Sequence, residues 1–258
     1  MIRTLITVAI VGFVLSIVAI STAFGIAGGP FAIHDWAIDR GSWAWGSTGH
    51  HHWRHHHGDE DAAARRDGDS AAVTRDFNWS GSDHLMVEPT ADIVFTQGPV
   101  TKLTIHGPAD ALDHLKLADG HIRYDSDFEP DDTRLKIIMT APGVRMFDLA
   151  GSQNLVIEGY AQDAMSLDIS GDGRVSAKGV VKTLNLDITG AGRADLADLA
   201  VQDARIDMSG SSLATVGPKG SAKIDVSGSG EVRLTVKPKS LTQDISGSGR
   251  VSQPGLPG

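Results

Sequence analysis

The sequence predicts an all-β fold, a parallel β-helix or solenoid with coils of about 19 residues, preceded by one N-terminal transmembrane helix. Three observations predict it: a fixed repeat, an alternation of apolar and polar residues within the repeat, and a long uncharged segment near the N-terminus. The repeat fills the C-terminal half of the 258-residue chain. A period of this size is typical of solenoids, in which each repeat buries its apolar face only by stacking on its neighbours.

An Asp-apolar-Ser/Thr-Gly motif anchors the repeat. Its aspartates are separated by 19, 20, 18 and 19 residues and lie at Asp168, Asp187, Asp207, Asp225 and Asp244. A degenerate sixth copy, Asp148-Leu149-Ala150-Gly151, begins 20 residues upstream of Asp168. The repeat points to a scaffold or a binding surface more than to an enzyme.

Alternation within the motif predicts which side chains face the interior. Around Asp187 the inward set is Leu184, Leu186 and Ile188, and the outward set is Asn185, Asp187 and Thr189. Period-2 alternation sends the two sets to opposite faces of a strand. In the last copy Gln243 takes an inward position, as a terminal coil with a polar end would.

A corner is expected after each Ser/Thr-Gly pair. The pair at residues 170–171 is followed by Asp172-Gly173, and glycine supplies the positive φ that such a corner needs. A second short strand then follows, as at residues 174–177 and 231–236. Two or more strands in each coil fit a parallel solenoid.

The first half of the folded region also alternates, but it has no fixed repeat. It predicts strands at residues 84–87, 91–98, 102–107 and 134–143. Asp119-Gly120 predicts a hairpin between residues 115–117 and 121–124. Residues 111–116 suit either a helical turn or an extended stretch. The sequence leaves open whether residues 73–147 continue the coil or form a separate sheet.

These strands and repeats together resemble a bacterial family, the putative auto-transporter adhesin head GIN domain. The resemblance covers residues 73–253 and rests on the order of motifs: residues 91–98, Leu112-Asp113-His114-Leu115, residues 137–142 and then the Ser/Gly-rich repeats. It implies an all-β, β-helix-like extracytoplasmic domain, often behind a signal or an anchor. The family supplies no catalytic residues to carry over.

Composition excludes several functional classes. The formal charge of −9 argues against nucleic acid as a partner, because phosphate binding needs a basic surface. The chain has no cysteine, so disulfides and thiolate metal sites are absent. No nucleophile elbow, zinc-protease helix, phosphate loop or dinucleotide fingerprint occurs. We expect no catalytic residues and no enzymatic activity.

The N-terminus predicts export across a membrane. Residues 5–27 form an apolar stretch of 23 residues, roughly 35 Å as a helix and enough to span a bilayer. Arg3 precedes the stretch, so the positive-inside rule sends the rest of the chain outward. Residues 1–33 are therefore a transmembrane anchor or a cleaved signal segment. We expect the protein to lie in the bacterial cell envelope. It is either anchored in the inner membrane with its domain in the periplasm, or exported.

The composition of residues 34–72 predicts a disordered, His-rich tether, followed by the solenoid domain at 73–253 and a tail at 254–258.

The tether contains six histidines within eight residues, which are His50, His51, His52, His55, His56 and His57. Neutral imidazoles at this density suit Zn²⁺, Ni²⁺ or Cu²⁺, but neighbouring glycines oppose a stable helix. Either the cluster binds metal or it is a solvated tether that becomes cationic below about pH 6.5.

Stacking the coils should align two rows of outward side chains. The first is the aspartate ladder already named, about 19 Å long at the usual strand spacing of about 4.8 Å. The second is the hydroxyl ladder of Ser170, Thr189, Ser209, Ser227 and Ser246. Stacked like charges repel, so cations, raised pKa values or hydrogen bonds must offset them. We expect one of two arrangements. Either each aspartate caps the turn that follows it by hydrogen bonding to the local backbone, or the row binds Ca²⁺ or another ligand.

The sequence therefore predicts a non-enzymatic extracytoplasmic domain of the adhesion type, tethered to the membrane through residues 5–27. Its expected partners are an envelope protein or a polysaccharide, and the ladders are its candidate binding surface. Two alternatives stay open, a metal-binding envelope protein that uses His50–His57 and a structural envelope module. No cofactor is expected beyond the metals already named.

Overall fold

A computed structural model of the protein describes residues 71–128 and 133–255. The predicted transmembrane helix and the His-rich tether up to residue 70 lie outside the described residues, as do residues 256–258 of the tail. In the part of the chain that is described, no helix has the length and apolar character needed to cross a bilayer.

The described residues form sixteen strands in one sheet and a single short helix, α1 (Ala109–Asp113). The strands before the long coils are β1 (Ala72–Phe77), β2 (His84–Val87), β3 (Ala91–Gln97), β4 (Lys102–Pro108), β5 (Leu115–Ala118), β6 (His121–Tyr124), β7 (Leu135–Ala141) and β8 (Met146–Gly151). The later strands are β9 (Asn154–Gly171), β10 (Arg174–Gly190), β11 (Arg193–Gly210), β12 (Leu213–Pro218), β13 (Ser221–Gly228), β14 (Glu231–Leu234), β15 (Ser240–Gly247) and β16 (Arg250–Ser252).

The predicted parallel solenoid is confirmed. β9, β10 and β11 pair in parallel, and each runs through almost a whole coil. The first halves of the coils align in the order β3, β9, β10, β11, β12, β14, β16, and the second halves in the order β2, β8, β9, β10, β11, β13, β15. Successive coils therefore share two sets of backbone hydrogen bonds.

The second short strand that was predicted in each coil differs in detail from the strands observed. Residues 174–177 are continuous with the rest of β10, and the register shifts near Gly179 where the coil bends. The expected strand at 231–236 ends at Leu234. Sequence alternation marks both halves of a coil, but it does not show whether a bend interrupts the strand between them.

Residues 84–97 form a coil of the solenoid, which resolves the question left open by the sequence. β3 lies between β7 and β9, and β2 lies between β6 and β8, in all four cases in parallel. Beyond them the pairing turns antiparallel: β7 pairs with β4, β4 with β1, and β6 with β5. An antiparallel cap therefore covers the N-terminal end of the stack.

In this cap one local prediction is confirmed and one open alternative is decided. Asp119-Gly120 joins β5 to β6, and both residues have positive φ, +50° and +85°, as a type I′ hairpin requires. Of residues 111–116, for which a helical turn and an extended stretch were both open, 111–113 belong to α1 and 115–116 to β5. Ala111 and Leu112 of α1 are buried and belong to the same apolar core as the strands.

A single aliphatic core runs through the stack. The inward set predicted around Asp187 is at most 2 % exposed. The equivalent sets, all buried, are Met165/Leu167/Ile169, Ala204/Ile206/Met208 and Ala222/Ile224/Val226. Aromatic residues occupy the N-terminal part, where Phe147 packs edge-on against Phe95 at 5.1 Å and lies 6.2 Å from Tyr160. The alternation in sequence thus describes the core correctly.

The glycine of each motif is required by the neighbouring coil as well as by its own backbone. Gly210 has φ +107°, and a Cβ there would lie 2.5 Å from the carbonyl oxygen of Gly190. The next amide, from Ser211, donates to that same carbonyl at 2.9 Å. Corners therefore stack backbone on backbone, and only a residue without a side chain fits between them.

Candidate functional site

The five predicted aspartates lie in one row. Asp187 is paired in register with Asp168 on one side and Asp207 on the other, and the pairing continues through Asp225 to Asp244. The degenerate copy joins as well, because Asp148 pairs with Asp168. All six side chains are exposed or half-buried. The aspartate ladder thus exists as predicted and has six members rather than five.

The hydroxyl ladder runs beside it, two residues further along each strand. Thr189 pairs with Ser170 and with Ser209, and the row continues through Ser227 to Ser246. Both ladders line a surface groove of about 460 Å³ that extends from the coil of Asp187 to that of Asp244. We call this feature the ladder groove. It presents carboxylates and hydroxyls at the spacing of the strands.

Two cations that the sequence analysis overlooked offset the charge of the ladder. Arg205 and Lys223 lie two residues before Asp207 and Asp225 on the same outward face. Nε of Arg205 is 2.9 Å from Asp207, and its Nη2 is 3.7 Å from Asp225. Nζ of Lys223 is also 3.7 Å from Asp225. Both cations occupy the position that Asn185 holds in the predicted outward set, so the period-2 alternation would have revealed them in the sequence.

The other half of the ladder has no such cations at the matching positions, which are Ser166 and Asn185. Partial burial raises the pKa of Asp187, and the carboxylates of Asp168 and Asp207 raise it further, against an opposing effect of Arg205. Burial likewise raises the pKa of Asp148, with Asp168 adding to it and His84 and His121 opposing. Of the predicted compensations, raised pKa values act at Asp148 and Asp187, and ion pairs act at Asp207 and Asp225.

The interpretation that each aspartate caps its own turn does not match the hydrogen bonds. Among the described residues, no backbone N–H donates to a carboxylate of the aspartate ladder; the donors within the same strand are side chains, Ser170 Oγ to Asp168 at 3.4 Å and Arg205 Nη2 to Asp207 at 3.0 Å. The corner amides donate instead to the glycine carbonyl of the preceding coil, as from Asp172 to Gly151 at 3.1 Å. The coil beneath satisfies each turn, which leaves the carboxylates to face the groove.

Metal ligation has little geometric support in the described ranges. Residues 71–128 and 133–255 contain no group of three His, Asp or Glu side chains arranged to hold an ion. The cluster predicted as a metal site, at His50, His51, His52, His55, His56 and His57, lies outside the described residues. The isolated histidines do not cluster: His106 and His114 are exposed, and His84 and His121 are half-buried, with Nε2 of His121 2.8 Å from Glu88.

A family model described as "Putative auto-transporter adhesin, head GIN domain" matches residues 83–238. The chain belongs to this family. The matched region contains the first coil, the long strands and five of the six aspartates of the ladder. It confirms the resemblance inferred from the order of motifs. No curated protein matches the chain.

Solved structures resemble the chain at low sequence identity, and the first of the following shares its fold. A putative adhesin from Bacteroides fragilis is 18 % identical, with a TM-score of 0.59 over 71 % of this chain and 97 % of its own. A putative adhesin from Parabacteroides merdae, at 13 % identity, covers 72 % and 97 % with a TM-score of 0.47. A putative lipid binding protein from Parabacteroides distasonis, at 16 % identity, covers 72 % and 97 % with a TM-score of 0.44.

Proposed function

We propose that this protein is a non-enzymatic, extracytoplasmic binding domain of the adhesion type, and that the ladder groove is its binding surface. The observation that carries the proposal is the in-register alignment of carboxylates and hydroxyls along one face. The adhesin description of the family supports a surface-binding role. The solenoid contributes rigidity, because every interior coil is hydrogen-bonded on both sides.

A polysaccharide is the ligand class that best fits the groove. Carboxylates accept hydrogen bonds from hydroxyl groups, and the Ser/Thr side chains both donate and accept. Because the rows repeat once per coil, at about 4.8 Å, they suit an extended polymer whose hydroxyls recur at regular intervals. Arg205 and Lys223 reduce the negative charge in the middle of the groove, which favours a neutral polymer there.

Binding to envelope polysaccharide and to whole cells tests this proposal. The double variant Asp187→Ala/Asp207→Ala removes two adjacent carboxylates of the groove and should weaken binding. The matched control is Asp163→Ala/Asp198→Ala, which removes two exposed aspartates away from both ladders. Equal binding by the two double variants would remove the ladder groove as the site, whether or not the domain binds glycans elsewhere.

We also propose that residues 5–27 hold the domain at the inner membrane, with the domain in the periplasm. The uncharged stretch and the preceding Arg3 support this orientation. Fractionation with and without detergent measures it: an anchored chain needs detergent for release, and a chain whose signal has been cleaved is released by osmotic shock. Recovery of the uncleaved chain from the cytoplasm would contradict both forms of export.

The histidine cluster supports a second candidate function, metal binding in the tether. Six imidazoles within eight residues are a dense set of ligands for Zn²⁺, Ni²⁺ or Cu²⁺. Calorimetric titration of these ions into the full chain and into a chain lacking residues 50–57 separates this function from glycan binding. Unchanged metal affinity after the deletion would eliminate it.

A further inference from the structure

The last coil that the structure describes has an open edge. Among the described strands β15 pairs with β13 alone and β16 with β14 alone, whereas each strand of the interior coils has neighbours on both sides. The inward positions are open too: Ile245 is 36 % exposed, against 3 % for the equivalent Val226 one coil earlier. This end presents unpaired backbone groups beside an uncovered strip of the apolar core.

The edge strand β15 carries less of the protection that the opposite end of the stack has. Charged side chains on an edge strand discourage pairing with another chain. β1, an edge of the antiparallel cap, contains Arg75 and Asp76, and β5 contains Lys116. β15 is twice the length of β5, eight residues against four, and holds one charged residue, Asp244. The C-terminal edge is therefore the one that is suited to strand pairing.

We propose that β15 is a self-association edge, which pairs antiparallel with β15 of a second copy of this chain. An antiparallel pair centred on Gln243 sets Leu241 opposite Ile245 of the partner copy and Gln243 opposite itself. Facing residues in such a pair point to the same side of the sheet, so inward side chains meet inward ones. The apolar residues continue the core, and the two glutamine amides hydrogen-bond to each other.

Charge selects the same register. Centring on Gln243 places Asp244 opposite Thr242 of the partner, so a carboxylate meets a hydroxyl. A shift that centres the pair on Asp244 would oppose two carboxylates, which is destabilising. A shift by one residue would set inward side chains against outward ones. The sequence of β15 is thus complementary to itself in one arrangement.

The contact closes a two-fold dimer and does not propagate. An edge that pairs with its own copy uses the same surface on both chains, so no further copy can join there. β1 and β16 lie at opposite ends of the strand order, so the N-terminal strands of the two copies end up on the far sides of the dimer. The dimer would then join two separately tethered domains end to end, independently of any ligand in the groove.

Disulfide trapping on the full-length chain tests the register. The chain has no cysteine, so Gln243→Cys introduces a single thiol. Directly opposed residues of an antiparallel pair lie about 4.5–5.5 Å apart between Cα atoms, within disulfide reach. Mild oxidation should convert most of this variant to a covalent dimer. Lys116→Cys, an exposed position on the edge strand β5, is the control and should form no covalent dimer.

A reversible measurement completes the test. Gln243 is exposed, so Gln243→Lys should leave the fold intact while it opposes two ammonium groups. Light scattering in mild detergent should give a dimer for the unmodified chain and a dissociation constant at least tenfold higher for the variant. An unmodified chain that is monomeric, a dimer unaffected by Gln243→Lys, species larger than a dimer, or equal trapping at positions 116 and 243 would each overturn the proposal.

Discussion

The interior coil that contains β11 and the last coil that contains β15 share one motif but differ in surroundings. Asp207-Met208-Ser209-Gly210 and Asp244-Ile245-Ser246-Gly247 have the same inward and outward positions and nearly the same glycine φ, +107° and +104°. Met208 is nevertheless 3 % exposed and Ile245 is 36 % exposed. The motif determines the local backbone conformation. A second neighbouring coil determines how much apolar surface that conformation buries, and so how much it contributes to stability.

The largest expected effect comes from truncating the core of an interior coil. Ile224 is fully buried, between Ile206 and Gln243 of the adjacent coils. Ile224→Ala should lower the free energy of unfolding by about 2–5 kcal/mol, measured by urea denaturation. Leu241→Ala, in the partly exposed last coil, is the matched variant and should cost less than half as much when both variants are measured at a concentration low enough to keep the chain monomeric. Equal losses in the monomeric chain would contradict the difference between the coils.

The glycine corners sharpen the same comparison. Gly210→Ala adds a Cβ 2.5 Å from the carbonyl oxygen of Gly190, at a φ that side chains disfavour, and should cost about 1–3 kcal/mol. Gly247→Ala meets Gly228 in the same way, at 2.6 Å. In the monomeric chain the last coil has a neighbour on one side only and can move away, so Gly247→Ala should lower the melting temperature less than Gly210→Ala does. A larger fall for Gly247→Ala would contradict the difference between the coils.

An ion pair that ties the last coil to its neighbour gives a smaller, pH-dependent effect. Arg233 and Arg250 donate to Glu231 at 2.8 and 2.9 Å and lower the pKa of Glu231 to about 2. A depressed pKa adds stability above the ordinary value near 4.5, and that stability is lost as the pH falls toward 2. Glu231→Gln should therefore destabilise the chain by about 1 kcal/mol at neutral pH.

The free energies of unfolding of the parent protein and of Glu231→Gln are measured by denaturation from pH 7 to pH 2. The stabilities of the parent and Glu231→Gln should converge as the acid range is crossed. Arg250→Ala is a control that removes one of the two donors and should give part of the effect. A difference that is constant across the whole pH range would show that the charge of Glu231 is not its cause.

The smallest effect, with the opposite sign, is expected in the interior part of the aspartate ladder. The pKa of Asp187 is raised, so the folded state binds its proton more tightly than the unfolded state does. The charged carboxylate is therefore a penalty at neutral pH, which disappears as the pH falls below 3.8. Asp187→Asn should stabilise the chain by about 0.5 kcal/mol at pH 7, since like charges on facing strands destabilise by this order.

Denaturation at pH 7 and at about pH 3 checks the sign for Asp187. The gain from Asp187→Asn should be present at the first pH and absent at the second. Asp244→Asn is the matched variant at the end of the row, where the carboxylate has one neighbour in the ladder instead of two, so it should gain less. A loss of stability in Asp187→Asn at neutral pH would mean that the repulsion is already offset.

Much of the site was predictable because the repeat and the alternation are both local. A motif recurring once per coil fixes the register, so the row from Asp168 to Asp244 followed from spacing alone. The positions of the cations Arg205 and Lys223 were also predictable from the same alternation. The hydrogen-bond acceptor of each corner amide was not predictable. That acceptor is either a carboxylate of the same turn or a carbonyl of the previous coil, and the choice depends on how closely the coils stack.

By itself the sequence determined the period, the inward and outward faces and the polar end marked by Gln243, because these depend on residues close together in the chain. The tertiary structure alone decided that residues 84–97 form a coil between β6/β7 and β8/β9 and that an antiparallel cap closes that end. Gln153, fully buried, lies 3.0–3.1 Å from the carbonyls of residues 87–89 and helps to hold this junction. Pairings across such separations have no repeat to specify them and arise from the packing of the whole core.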